Sequence, residues 1–270
     1  MTSHAPSSCC YKGVKHEGQP VGSLSTVKDF EVYTSYPENK STNYAVLILT
    51  DVIGHKFNNA QLIADQFAAN GYFVFMPDLF HGDPVPLNRG PDFVLAKWLE
   101  GHGAERVDPI VEASITELRE KYKVKVVLYL LSNAIDRSEN YAYPIAPKKI
   151  AAVGYCFGAK YVVRHLHPKQ NKIDVGYVAH PSFVEADELK AIGGPFSISA
   201  AETDTIFPTE KRHESEIILK ETGLPYQINL YSGVVHGFAV RADLSDRVAK
   251  YAKENAFLQA VEWFEEYLKN

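Results

Sequence analysis

The chain has 270 residues, 46% of them hydrophobic and 23% charged, which is ordinary globular composition and excludes disorder, collagen or coiled coil for the chain as a whole. Lys and Arg number 28 against 33 Asp and Glu, a net charge of −5, so the basic surplus of an electrostatic nucleic-acid binder is missing. The longest apolar runs, such as 44–49, fall far short of the ~20 residues of a membrane span, and no nucleic-acid or membrane partner is expected. The N-terminal residues lack the apolar core of a secretory signal and the Arg-rich look of a presequence, and the last residues carry no retention signal. The expected compartment is therefore cytoplasmic.

In chain order, 27–34 alternates and reads as a strand, and 44–49 is a continuous apolar run, the pattern of a strand buried on both faces. A helix is predicted over 60–69, stopped by Gly71, followed by a strand over 72–76 ended by Pro77-Asp78. Residues 107–122 have the spacing of an amphipathic helix with Ile110, Val111, Ile115 and Leu118 inward. Strands are then predicted over 149–154, 175–179, 195–201 and 226–231, with helices over 159–166, 209–222 and 243–267, the last with Tyr251, Phe257, Val261 and Phe264 on one side. Residues 123–147 break the rhythm: a strand-like run over 124–131 leads into a polar stretch, longer than the usual connection. This segment reads as an atypical surface insertion with an extra edge strand, or as translated intron sequence. The alternation implies an α/β fold in one domain over 1–270, a mostly parallel central sheet with helices on both faces. In such sheets chemistry gathers in the loops at the carboxyl ends of the strands.

The sharpest local signal is Gly154-Tyr155-Cys156-Phe157-Gly158, between a predicted strand and a predicted helix. It is the thiol form of the G-x-S-x-G nucleophile elbow. The two glycines let strand and helix approach, the helix N-terminus favours a thiolate on Cys156, and the Phe157 N–H points toward a developing oxyanion. The base must lie downstream. His165 and His167 sit late in the helix that Cys156 opens, and His213 lies in a charged helix. His180 follows a strand and reads as a pocket residue. His236, in the loop after the last strand, is the candidate base. Asp204, with Glu202 as its competitor, is the candidate acid in the loop after 195–201. The Val52 N–H, after the 44–49 strand, is the second oxyanion donor, and Asp51 beside it is placed to meet the resting thiol. The pocket rim is expected from Phe80, His81, Phe207 and Phe238.

Cys9 and Cys10 stand in what reads as a loose arm over 1–13, with no zinc-type spacing. No metal, nucleotide or other cofactor is implied, since no G-x-G-x-x-G or P-loop follows a strand.

Five blocks together, Asp51-Val52-Ile53-Gly54, Pro77-Asp78-Leu79-Phe80, the Cys156 elbow, Ala201-Glu202-Thr203-Asp204 and His236-Gly237-Phe238, resemble the dienelactone hydrolase (carboxymethylenebutenolidase) family over about residues 14–268, with wording closest to its fungal members. The resemblance implies an α/β-hydrolase fold, a Cys156, Asp204, His236 triad, and oxyanion donors at Val52 and Phe157. It also implies an acidic thiol contact at Asp51, where the bacterial enzyme has Glu. The two arginines that hold the bacterial substrate's carboxylate fall at Gly82 and Val240, with Arg241 one residue on as a candidate pocket residue. Neither position is Arg, which argues against dienelactone itself. The expected activity is thus cysteine-dependent hydrolysis of a small-molecule ester, lactone or thioester by a monomer or homodimer. Two other readings remain open: a non-catalytic scaffold that binds a small ligand or a protein, and a thiol redox role, disfavoured because no resolving cysteine lies near Cys156 in sequence.

Overall fold

Extended apolar runs satisfy their backbone by pairing with one another, and among the described residues they do so in one eight-stranded sheet. The computed structural model describes residues 2–90, 92–133, 149–168 and 173–270, with backbone alone at 121 and 123–133. The elements in chain order are β1 (Ser23–Val27), β2 (Phe30–Ser35), β3 (Tyr44–Leu49), α1 (Asn58–Ala69), β4 (Phe73–Pro77), α2 (Leu95–Leu99), α3 (Ala104–Asn133), β5 (Lys149–Tyr155), α4 (Phe157–His165), β6 (Val175–Ala179), α5 (Ala186–Lys190), β7 (Phe196–Thr203), α6 (Thr209–Thr222), β8 (Tyr226–Val235), α7 (Phe238–Arg241) and α8 (Arg247–Phe264). The strand order is β1-β2-β4-β3-β5-β6-β7-β8. β1, β2 and β4 pair antiparallel, and every pair from β4 through β3 to β8 is parallel.

The chain leaves β3 toward β4 on one side and later returns to β5 on the other. The carboxyl ends of β3 and β5 therefore flank a topological switch point, the place where such sheets open a crevice. β3 delivers Asp51 and Val52 there, and β5 delivers Cys156. A buried polar network holds the far side: Tyr177 donates to Ser199 Oγ at 2.8 Å, while Ser199 and Tyr231 donate to Gln259 Oε1 at 2.7 and 2.9 Å. It joins β6, β7 and β8 to α8, and so holds steady the strands from which Asp204 and His236 emerge.

Four expectations change. The strand expected over 27–34 is a hairpin, because Lys28 takes a left-handed φ of 52° and turns the chain between β1 and β2. The strand-like run over 124–131 continues α3 instead, since a short apolar, β-branched run fits a helix as well as a strand. The rest of the 123–147 insertion, from 134 on, lies outside the described residues. The closing helix starts only at Arg247, where Asp246 caps it by accepting from the Val248 and Ala249 N–H groups at 2.7 and 3.3 Å, and Tyr251 faces solvent.

The fourth change is the arm expected to be loose over 1–13, which from residue 2 on is packed. The Thr2 N–H donates to Val184 O at 2.7 Å, and His4 to Ile206 O at 2.8 Å. Gly13 and Asn88 exchange two 3.0 Å hydrogen bonds, and Arg241 Nε donates to Lys12 O at 3.0 Å. Cys10 and Tyr11 are buried, so the arm gains apolar burial as well as satisfied backbone groups. No helix among the described residues is long and apolar enough to cross a membrane.

Candidate active site

Between β5 and α4 the chain turns so sharply that Cys156 adopts φ 50° and ψ −107°. A non-glycine residue there stores strain of about 1–3 kcal/mol, which only the surrounding packing can hold. The flanking glycines make the turn possible. A Cβ on Gly154 would lie 2.6 Å from Ala159 Cα, and one on Gly158 2.0 Å from Leu49 O. Gly158 also donates its N–H to Thr50 O at 3.0 Å, tying the start of α4 to the exit of β3. Gly158→Ala is expected to lower stability by about 1–3 kcal/mol or more, read as a shift in thermal unfolding, because the obstacle is backbone and cannot rotate away.

Beside the elbow, Asp204 Oδ2 accepts from His236 Nδ1 at 2.8 Å. Its Oδ1 accepts from the Ile206 and Phe207 N–H groups at 2.8 and 3.0 Å, which fixes the carboxylate before it meets the imidazole. β8 runs to Val235, past the expected end at 231, and a register irregularity against β7 between Ala201 and Thr203 brings the two exit loops face to face. Glu202, the competing acid, points outward and accepts from the Gly233 N–H.

His236 Nε2 faces sulfur. Cys10 Sγ lies 3.6 Å from it, and Cys10 Sγ and Cys156 Sγ are 3.2 Å apart. Burial opposes a charge on Cys156, yet the Cys10 hydrogen bond and the positive charges of His236 and Arg241 hold its thiol well below the ordinary value. Burial likewise opposes the imidazolium, but the Cys156 thiolate and Asp204 raise His236 to about 10. Cys10 goes the other way: its burial and its hydrogen bonds to Cys156 and Cys9 push its thiol well above the ordinary value. With both thiols protonated Cys156 donates to Cys10; once Cys156 ionises, the direction reverses and Cys10 donates. Cys9, half-buried, is lowered to about 6, chiefly by its hydrogen bond to Cys10.

Val52, in the loop after β3, and Phe157, the residue after Cys156, are fully buried. Neither N–H has a hydrogen-bond partner among the described residues, whereas the neighbouring Ile53 N–H is taken by Asp51 Oδ1 at 3.0 Å. Unsatisfied buried N–H groups are rare, and such a group can receive an oxygen anion. The second oxygen of Asp51 is paired with Arg241 Nη1, both side chains 1% exposed. Arg241 therefore sits inside the protein, where it also holds the arm through Lys12 O and, at 3.3 Å, Cys9 O.

The remaining rim candidates divide. Phe80 stacks near Phe157 and Trp98, with ring centroids 5.3 and 5.1 Å away. His180 is wholly buried, 5.0 Å from the His236 ring and 5.8 Å from Phe238, with neither ring nitrogen paired among the described residues. Burial and the nearby His236 and Arg241 charges keep it neutral. His81 is exposed. Phe207 turns its ring into a small apolar cavity with Val163, Val178 and Phe196, so it packs the core behind Asp204. Sequence reasoning missed Cys10 altogether. Its only signal was the Cys9-Cys10 pair, which has no partner at recognisable spacing. The arm closes the crevice: Cys156 and Cys10 are 0% exposed and His236 5%.

Among the described residues two clusters have the donor types of a metal site. Glu31, His55 and Asp78 are already engaged: Lys56 pairs with Glu31, and Asp78 accepts from the Phe80 and Gly82 N–H groups. Cys9, Cys10 and His236 form the other, inside the crevice.

The model of the Dienelactone hydrolase family matches residues 30–268. The chain is 56% identical to the hydrolase tropI of Talaromyces stipitatus, across 100% of this chain and 99% of that one. It is 51% identical to the hydrolase pyvD of Aspergillus violaceofuscus, across the whole of both. Among solved structures, the dienelactone hydrolase-like promiscuous phosphotriesterase P91 from metagenomic libraries superposes with a TM-score of 0.63 at 15% identity, covering 92% of this chain and 98% of that one, which bears on the fold alone. With the sheet order, the elbow and the full-length identity to two fungal hydrolases in agreement, the chain belongs to the dienelactone hydrolase family.

Proposed function

We propose that this hydrolase uses Cys156 as its nucleophile against a small ester, lactone or thioester. The observation that carries the reading is the 2.8 Å Asp204–His236 hydrogen bond beside a thiol on a strained elbow, an order of nucleophile, acid and base that matches α/β-hydrolase chemistry. The Cys156 thiolate attacks the acyl carbon, and the carbonyl oxygen becomes an anion received by the Val52 and Phe157 N–H groups. The His236 imidazolium passes its proton to the leaving alkoxide or thiolate. The neutral imidazole then takes a proton from water, which attacks the acyl-cysteine and releases the acid. Asp204 holds the tautomer and steadies the imidazolium throughout.

Entry of a substrate requires Cys10 and its arm to yield, since they fill the space over the sulfur. Phe80 packs on Phe157, and Phe238 on the neutral His180, apolar surroundings that suit an aryl or alkyl acyl group. The experiment is a panel of aryl esters, lactones and thioesters, run beside Cys156→Ala. Turnover by the native chain that disappears in the variant supports the reading, and turnover that persists overturns it.

The active form pairs a thiolate with an imidazolium, so kcat/KM rises as the thiolate forms and falls as the imidazolium loses its proton. The acid limb is expected well below the ~8.5 of a free thiol, and the alkaline limb near pH 10, where His236 deprotonates. A pH profile with its acid limb at the free-thiol value contradicts the pairing.

A further inference from the structure

The hydrolytic steps use one thiol, yet the structure gathers all three cysteines of the chain, and all three are unbridged. Cys10 Sγ stands 3.2 Å from Cys156 Sγ, closer than two sulfurs rest in simple contact, and both are buried. Cys9 is held at one side by Ser7 Oγ, 3.2 Å away. No acyl-transfer step needs Cys10, and a merely space-filling residue does not have to be a thiol.

A disulfide has an S–S distance of about 2.05 Å, so these two sulfurs must close by only about 1.1 Å. The elbow cannot supply that movement, because Gly154 and Gly158 are wedged against Ala159 and Leu49. The arm can. Its turn over Ser8–Tyr11 is a single short element tied by a few hydrogen bonds, among them one from Arg241 Nη2 to Cys9 O.

Building on the reading of Cys156 as the nucleophile, we infer that Cys10 and Cys156 form a reversible disulfide that switches the hydrolase off when a peroxide reaches the site. The Cys156 thiolate attacks one oxygen of hydrogen peroxide; the S–O bond forms, the O–O bond breaks and hydroxide leaves. That hydroxide takes the Cys10 proton and becomes water. The Cys10 sulfur then attacks the Cys156 sulfur, the S–S bond forms, and the S–O bond breaks to release a second hydroxide. Each sulfur has given up one electron and the peroxide has taken two. Two equivalents of a small-molecule thiol reverse the change, restoring both cysteines and leaving their own disulfide. The link also spares Cys156 from the sulfinic state, which simple thiols do not reduce.

The test treats the purified full chain with hydrogen peroxide in the presence of a chelator, then blocks remaining thiols and maps the peptides without reduction. The expected result is one linked pair, Cys10 with Cys156, an activity loss of about tenfold or more, and recovery with dithiothreitol. In Cys10→Ser the pair is absent, and the loss, measured against that variant's own untreated rate, is no longer recovered because Cys156 proceeds to the sulfinate. In Cys9→Ser the pair still forms, which keeps the test independent of how Cys10→Ser folds. Cys10 left free after activity is lost, or a Cys9 link in its place, overturns the inference. So does a loss of activity that the chelator prevents, which would assign Cys9, Cys10 and His236 to a soft metal ion. A native chain that hydrolyses esters through Cys156 but never links it to Cys10 sinks the switch and spares the hydrolase reading. Turnover retained in Cys156→Ala sinks that reading, whatever the peptide map shows.

Discussion

Cys156→Ala is expected to lower kcat by a factor on the order of 10⁴ to 10⁶ on any ester the native chain accepts, the scale seen when the nucleophile is taken from a triad. The loss follows from the chemistry of the elbow. Cys156 sits on the strained turn, with φ 50° and ψ −107°, and the N–H groups of Val52 and Phe157 have no partner among the described residues. Substrate binding depends on the walls, so KM should change far less than kcat. The companion measurement is alkylation. Cys9, lowered to about 6, also reacts as a thiolate, so total thiol labelling does not separate the sites. Peptide-resolved labelling does: in the native chain substrate protects Cys156, and in the variant the remaining label falls on Cys9. A kcat that drops less than tenfold removes Cys156 from the nucleophile's role.

Arg241→Leu is expected to cost about 3–5 kcal/mol of stability, because it leaves the Asp51 carboxylate buried without its counter-charge. For a chain of this size that is a fall in Tm of roughly 10 °C. The arm loses two anchors at once, Lys12 O and Cys9 O, so Cys156 should also be alkylated faster. The pH dependence has a definite sign. Burial holds the Asp51 carboxyl above its ordinary value even with Arg241 opposing. Without Arg241 the carboxyl rises further and prefers to be neutral when folded. The deficit is therefore smallest in acid, where Asp51 is protonated, and grows as pH rises through its folded value. Asp51→Asn combined with Arg241→Leu should recover part of the loss at neutral pH, as a double-mutant cycle would show. A deficit that does not change with pH points instead to lost packing by the Arg241 side chain.

Particular residues mark how far the amino-acid order carried. The runs at 44–49 and 175–179 and the charged helix over 209–222 match β3, β6 and α6 residue for residue. Their signals are periodicity, length and flanking breakers, all local. The stretch at 124–131 carried no such signal: with valines and leucines on every side it has no period, and its joining of α3 was not legible. Asp204 and His236 were singled out because each follows a strand in a fold whose exit loops face one crevice, and a 2.8 Å hydrogen bond joins them. Phe207 shares that loop, but its side chain turned to the core, a choice that depends on what packs behind the sheet.

What the order of residues determined by itself is the parallel sheet and the bend at Cys156, since both rest on short-range sterics: which side chains alternate, and where only glycine fits between Leu49 and Ala159. What only the tertiary structure decided is the company that the sulfur keeps. Cys10 is 146 residues away and Arg241 lies beyond the last strand, and their places come from long-range packing. An arm with buried apolar groups and backbone donors to satisfy settled into the crevice that the switch in strand order left open, and no local pattern records that fit.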